Sequence, residues 1–140
     1  MSESLDVITQ LNQDVPQFIK LLGGRVVAVD HDNLVCTFEF NIGREYCHSI
    51  DIVQGGFVTA MLDAAMSHAI FAVDQTVVGV SSLEIKTSFL EATRAGALTV
   101  KGKVIKSSYK IAFFEGHITN SEGLLTATAS SVAKLVRNSQ

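Results

Sequence analysis

The chain has 140 residues, is 47% hydrophobic and carries a formal net charge of −3. That length suits one domain, residues 1–140, with a single sizeable core. The lack of a basic surplus argues against a nucleic-acid partner. The two cysteines, Cys36 and Cys47, have neither CxxC nor metal-ligand spacing, which points to reduced thiols.

Residues 1–6 lack a basic stretch followed by an apolar one, so a cytoplasmic chain is expected. Leu5, Ile8, Leu11, Val15, Phe18, Ile19 and Leu22 recur at helical spacing. Asp14 before Val15-Pro16 reads as a cap with proline just inside, so the helix breaks or restarts there. Gly23-Gly24 ends it. Residues 25–30 and 34–41 are β-branched or aromatic and flank His31-Asp32-Asn33, which predicts a hairpin. Residues 42–53 read as a loop. A long helix from Gly55 to Val73 follows, apolar on nearly every face. It carries Asp63, Ser67 and His68 and lacks basic flanks, so it reads as a core helix and not a membrane span. Strands are expected over 77–92, 97–107, 108–119 and 124–136, with turns at 93–96 and 120–123. This order predicts an α+β fold, a highly curved antiparallel sheet wrapped around one central helix.

Asp63 is the most informative residue, because a core helix is an expensive place for an acid. A buried carboxylate is disfavoured unless paired, and such an environment suits a general base at neutral pH. Thr59 and Ser67, four residues to either side, share its helix face. The result is one thin polar stripe, fit to line a small cavity. Gly55 and Gly56 open the helix and can aim bare amides at a ligand oxygen. His68 lies about 140° around the helix from Asp63, so a structural role is expected for it. The four histidines, His31, His48, His68 and His117, are scattered without metal-ligand spacing, and no metal or cofactor is expected.

Gln54-Gly55-Gly56 with Asp63 seven residues after the second glycine resembles the hotdog fold, and within it the acyl-CoA thioesterases of the phenylacetate-pathway (PaaI-like) type. Their usual form is His-Gly-Gly followed by an acid at that spacing. The likeness continues through Gly79-Val80-Ser81, Ser88-Phe89-Leu90-Glu91-Ala92 and Gly96, and covers roughly residues 15–136. Two positions depart from it: Gln54 replaces the usual histidine, and His48 stands where asparagine is common.

The resemblance implies hydrolysis of an acyl-CoA thioester. The Gly55 or Gly56 amide would stabilise the oxyanion, and Asp63 would act as general base or nucleophile. Ser81 would hold the water or the acid, with Thr59 and Ser67 in support. Gln54 would orient a loop or the thioester oxygen, and His48 either lines the site or faces solvent in its loop. Arg94, Lys103, Lys106, Ser108 and Lys110 are candidates for meeting the nucleotide of coenzyme A. The resemblance also implies a homodimer or homotetramer with its site between subunits. Two other functions stay open: an acyl-thioester dehydratase or hydratase using His48 and Asp63, and a non-catalytic acyl-CoA-binding domain. The acyl group itself is not legible.

Overall fold

Pro16 divides the amino-terminal helical segment into α1 (Ser2–Asp14) and α2 (Gln17–Leu21). The structure, a computed structural model, describes residues 2–138; the side chains of residues 2–5, Leu5 of the apolar stripe among them, lie outside the description. Asp14 closes α1 instead of capping the restart: its carboxylate accepts from Gln10 at 2.6 Å, and Pro16 is the cap of α2. Then come β1 (Gly24–Asp30) and β2 (Val35–Ile42). Leu34, expected to start the second strand, belongs to the turn, with φ of 60°. The expected loop contains a 3-10 turn and a ribbon of two short strands, β3 (Cys47–His48) and β4 (Ile52–Val53). α3 (Gly55–Val73) has the expected bounds. β5 (Val77–Phe89), β6 (Gly96–Ser107), β7 (Ile111–Asn120) and β8 (Leu125–Arg137) complete the chain.

Six strands form one antiparallel sheet in the order β1-β2-β6-β7-β8-β5. It curves around α3, which packs on β2, β5, β6, β7 and β8. α3 is long and apolar enough to cross a membrane by composition alone, but Met61, Leu62, Met66 and Ile70 are sealed against the sheet with Phe38, Phe40 and Phe114. The closest approach is at Gly102 in β6. A Cβ there would fall on the carbonyl of Ala65 and the amide of Met66, so the helix backbone rests directly on the strand.

The two sheet edges differ. β1 is covered: Asn12 of α1 donates to the Val26 carbonyl at 3.0 Å and accepts from its amide at 2.8 Å. β5, the other edge, carries exposed Val78, Leu83 and Phe89. An uncovered edge of this length is a template for pairing with another chain.

Arg137 closes the end of the sheet away from Gly55. Its Nε donates to the Tyr109 carbonyl at 2.7 Å and Nη2 to the Ser108 carbonyl at 3.2 Å. Nη1 reaches the Asp74 carboxylate at 2.9 Å and the Thr76 hydroxyl at 2.6 Å. The Thr76 hydroxyl, and then Arg137, hold the Asp74 carboxyl below its ordinary 3.8. Arg137→Ala is expected to lose about 2–3 kcal/mol in urea unfolding at pH 7. A carboxyl with a depressed folded-state pKa stabilises fully above its unfolded value and less as pH falls through the folded one. The gap between wild type and variant should therefore narrow below about pH 4.

Candidate active site

The start of α3 is built by Gln54. Its side-chain Oε1 accepts from the Gly56 amide at 2.8 Å, a capping role usually taken by shorter residues. Its carbonyl accepts from Phe57 at 2.9 Å and from Val58 at 3.1 Å. Of the first four helix amides, Gly55 alone has no acceptor among the described residues. Of the two glycine amides expected as oxyanion donors, Gly56 is engaged by Gln54 and Gly55 is open among the described residues. A Cβ on Gly55 would stand 3.3 Å from the Phe89 ring, so a side chain here would crowd the space between the helix start and β5. The ribbon of β3 and β4 leads into the cap, since the Gln54 amide donates to the Tyr46 carbonyl at 3.0 Å. Tyr46 and Phe57 rings meet edge to face at 5.0 Å.

Asp63 is half-buried, not sealed in the core. The stripe of α3 through Gly56, Ala60, Asp63, Ser67 and Phe71 is the one its own sheet leaves partly open. The Ser82 hydroxyl donates to Asp63 Oδ1 at 2.8 Å. One turn earlier, the hydroxyls of Thr59 and Thr87 are 2.9 Å apart. Both contacts tie the stripe to β5.

Ser82 takes the place expected for Ser81. Leu83 is an extra residue in β5, lying between the Ser82–Ala133 and Glu84–Val132 pairs. Successive strand residues face opposite sides, so Ser81, paired with Lys134, turns away from the side that Ser82 presents to α3. The bulge then lets Ser82 and Thr87 reach the same helix. If the hydrolysis that the resemblance implies runs through Asp63, Ser82→Ala is expected to lower kcat/KM about tenfold through loss of one charge-assisted hydrogen bond. Ser81→Ala should then stay within about twofold of wild type, measured by thiol release.

His48 is exposed on β3, with Nδ1 3.1 Å from the Ser49 hydroxyl. Ser67 stays on the half-open stripe and makes no side-chain hydrogen bond among the described residues. Lys106, Ser108 and Lys110 are exposed around the β6–β7 turn, at the Asp74 end of α3. Within one chain they therefore lie a helix length, roughly 27 Å, from Gly55. Arg94 is at the Gly55 end instead, paired with Asp51 at 2.6 Å. Sequence reasoning missed Ser82, Thr87 and Phe89 as contacts of the helix. Only the Phe89 position had a signal, in its run with Ser88 and Leu90.

Gly55 and Asp63 are eight residues apart, about 12 Å along the helix. One carbonyl cannot touch both at reacting distance. A site using this amide and this acid needs two helices, and hence two copies of the chain.

The family model described as Thioesterase superfamily matches residues 51–127. No curated protein sequence matches the chain significantly. Among solved structures, a phenylacetic acid degradation-related protein of Ralstonia eutropha is 24% identical, with a TM-score of 0.82 over 91% of this chain and 98% of that one. The E. coli PaaI protein from the phenylacetic acid degradation operon is 14% identical, with a TM-score of 0.83 over 99% and 96%. Zebrafish thioesterase superfamily member 2 is 20% identical, with a TM-score of 0.78 over 95% and 99%. The fold is the hotdog fold.

Proposed function

The chain belongs to the Thioesterase superfamily, and from that membership we propose that it hydrolyses acyl-CoA thioesters to the free acid and coenzyme A. The observation that carries the reading is the half-open Asp63 carboxylate, held by Ser82 at one oxygen and without a hydrogen-bond partner among the described residues at the other. The open Gly55 amide at the positive end of α3 supplies the matching oxyanion donor.

The thioester carbonyl oxygen accepts from the Gly55 amide, which stabilises the charge that develops there. Water attacks the carbon as Asp63 Oδ2 takes its proton. The tetrahedral intermediate collapses, the C–S bond breaks, and the thiolate of coenzyme A recovers that proton. Direct attack by Asp63, giving an anhydride that water then opens, uses the same atoms.

A dimer completes this site. Two β5 edges pairing about a two-fold axis run antiparallel. The carboxyl end of one α3 then lies beside the amino end of the other. Asp63 and Ser82 of one subunit converge on the Gly55 amide of the next. The Lys106–Lys110 turn of the first subunit also approaches that amide, suiting it to the nucleotide. Sedimentation should give at least a dimer; a monomer of 15.1 kDa at working concentration would remove the shared site.

Thiol release from a panel of acyl-CoAs, beside hydration of crotonyl-CoA, tests the reaction. Thiol release supports hydrolysis. Hydration without thiol release transfers Asp63 and His48 to a hydratase. Saturable acyl-CoA binding without either reaction leaves a binding domain.

A further inference from the structure

A cavity of about 790 Å³ lies between α1, the second half of α3 and the start of β5. Gly55, Asp63 and Ser82 do not line it. Val7, Leu11, Phe71 and Val77 give it apolar walls. His68 also lines it, only 7% exposed and set between the rings of Phe38 and Phe71. The size is ordinary for a small-molecule pocket.

The chemistry of the cavity follows from His68. Its Nδ1 is 2.8 Å from the Ala64 carbonyl. A carbonyl only accepts, so Nδ1 carries the proton and the neutral ring offers Nε2 as an acceptor. Burial pushes the His68 pKa below its ordinary 6.5, which keeps the ring neutral. Nothing among the described residues donates to Nε2, and no unpartnered side-chain atom among them is sealed from a probe, so Nε2 opens on the cavity. Asp6 and Asp14 are the charged residues of the lining.

We propose that this cavity is a second ligand site, taking a small molecule with an apolar body, a hydrogen-bond donor and no negative charge, either an amine or an alcohol. The donor meets His68 Nε2, and the apolar body packs on Leu11 and Phe71. Carboxylates are disfavoured by an acceptor with no proton to give and by the two aspartates.

Hexylamine, 1-hexanol and hexanoate distinguish these classes. Binding is read by calorimetry and by the ring resonances of His68, which report this cavity alone. Hexylamine should bind tightest and hexanol next, both moving the His68 signals, with hexanoate at least about tenfold weaker. His68→Phe should weaken both binders about tenfold. That change touches the core, so Leu11→Trp, which fills the cavity from α1, is the second variant and should remove binding with His68 intact. Asp6→Asn with Asp14→Asn should bring hexylamine down to hexanol. Hexanoate binding as tightly as hexylamine with the same His68 shifts, or no probe moving the His68 signals at millimolar concentration, would overturn the proposal.

Discussion

Asp63→Asn is expected to lower kcat/KM for a good acyl-CoA by at least a hundredfold, about 2.7 kcal/mol of transition-state stabilisation. The replacement keeps the size of the side chain and an oxygen that can accept from Ser82. In the proposed reaction it removes the group that takes a proton or attacks carbon. Because the residue is half-buried and already hydrogen-bonded, thermal unfolding should move by only a few degrees. Wild-type turnover in the variant would take Asp63 out of the mechanism, and the Gly55 amide would lose its partner in the reaction.

Gly102→Ala should do the reverse, leaving every reacting group in place and removing the fold that holds them. The added methyl meets backbone atoms of Ala65 and Met66, which have no rotamer to yield. Ordinary overpacking costs about 1–3 kcal/mol. Here α3 must lift off β6 or the strand must bend, so a loss of about 4 kcal/mol or more is expected, roughly 15 °C in melting temperature. Gly123→Ala makes the comparison fair. Its φ is +83° with nothing within 4 Å of the added carbon, so only the left-handed backbone penalty of about 1 kcal/mol applies. Calorimetric melting of the two variants side by side checks the difference. Equal melting temperatures would mean that the helix does not sit on Gly102.

Much of this was legible because the strongest signals are local. The glycine pair and the unbroken apolar run gave α3 its limits, and Pro16 marked the division between α1 and α2. Asp63 was readable as the odd residue in that run, but its exposure was not. The apolar pattern counts residues that face any protein surface, including that of a second copy, and one chain leaves that stripe open. Ser81 rests on the resemblance alone, and the bulge at Leu83, which carries no glycine or proline to announce it, hides which serine of β5 faces α3. The Gln54 cap was hidden for a similar reason, since glutamine is seldom a cap residue. Lys106, Ser108 and Lys110 follow the site in the sequence, yet strand lengths carry them to the opposite end of the sheet. No local pattern reports on such distances.

β5 is at once the uncovered edge of the sheet and the strand whose Ser82, Thr87 and Phe89 touch α3. In the proposed dimer, association and chemistry share the same thirteen residues. Turnover per subunit is then expected to depend on protein concentration, falling on dilution while each chain is still folded. Leu83, bulged and exposed on that edge, is the position from which the strength of pairing can drift without altering a reacting group.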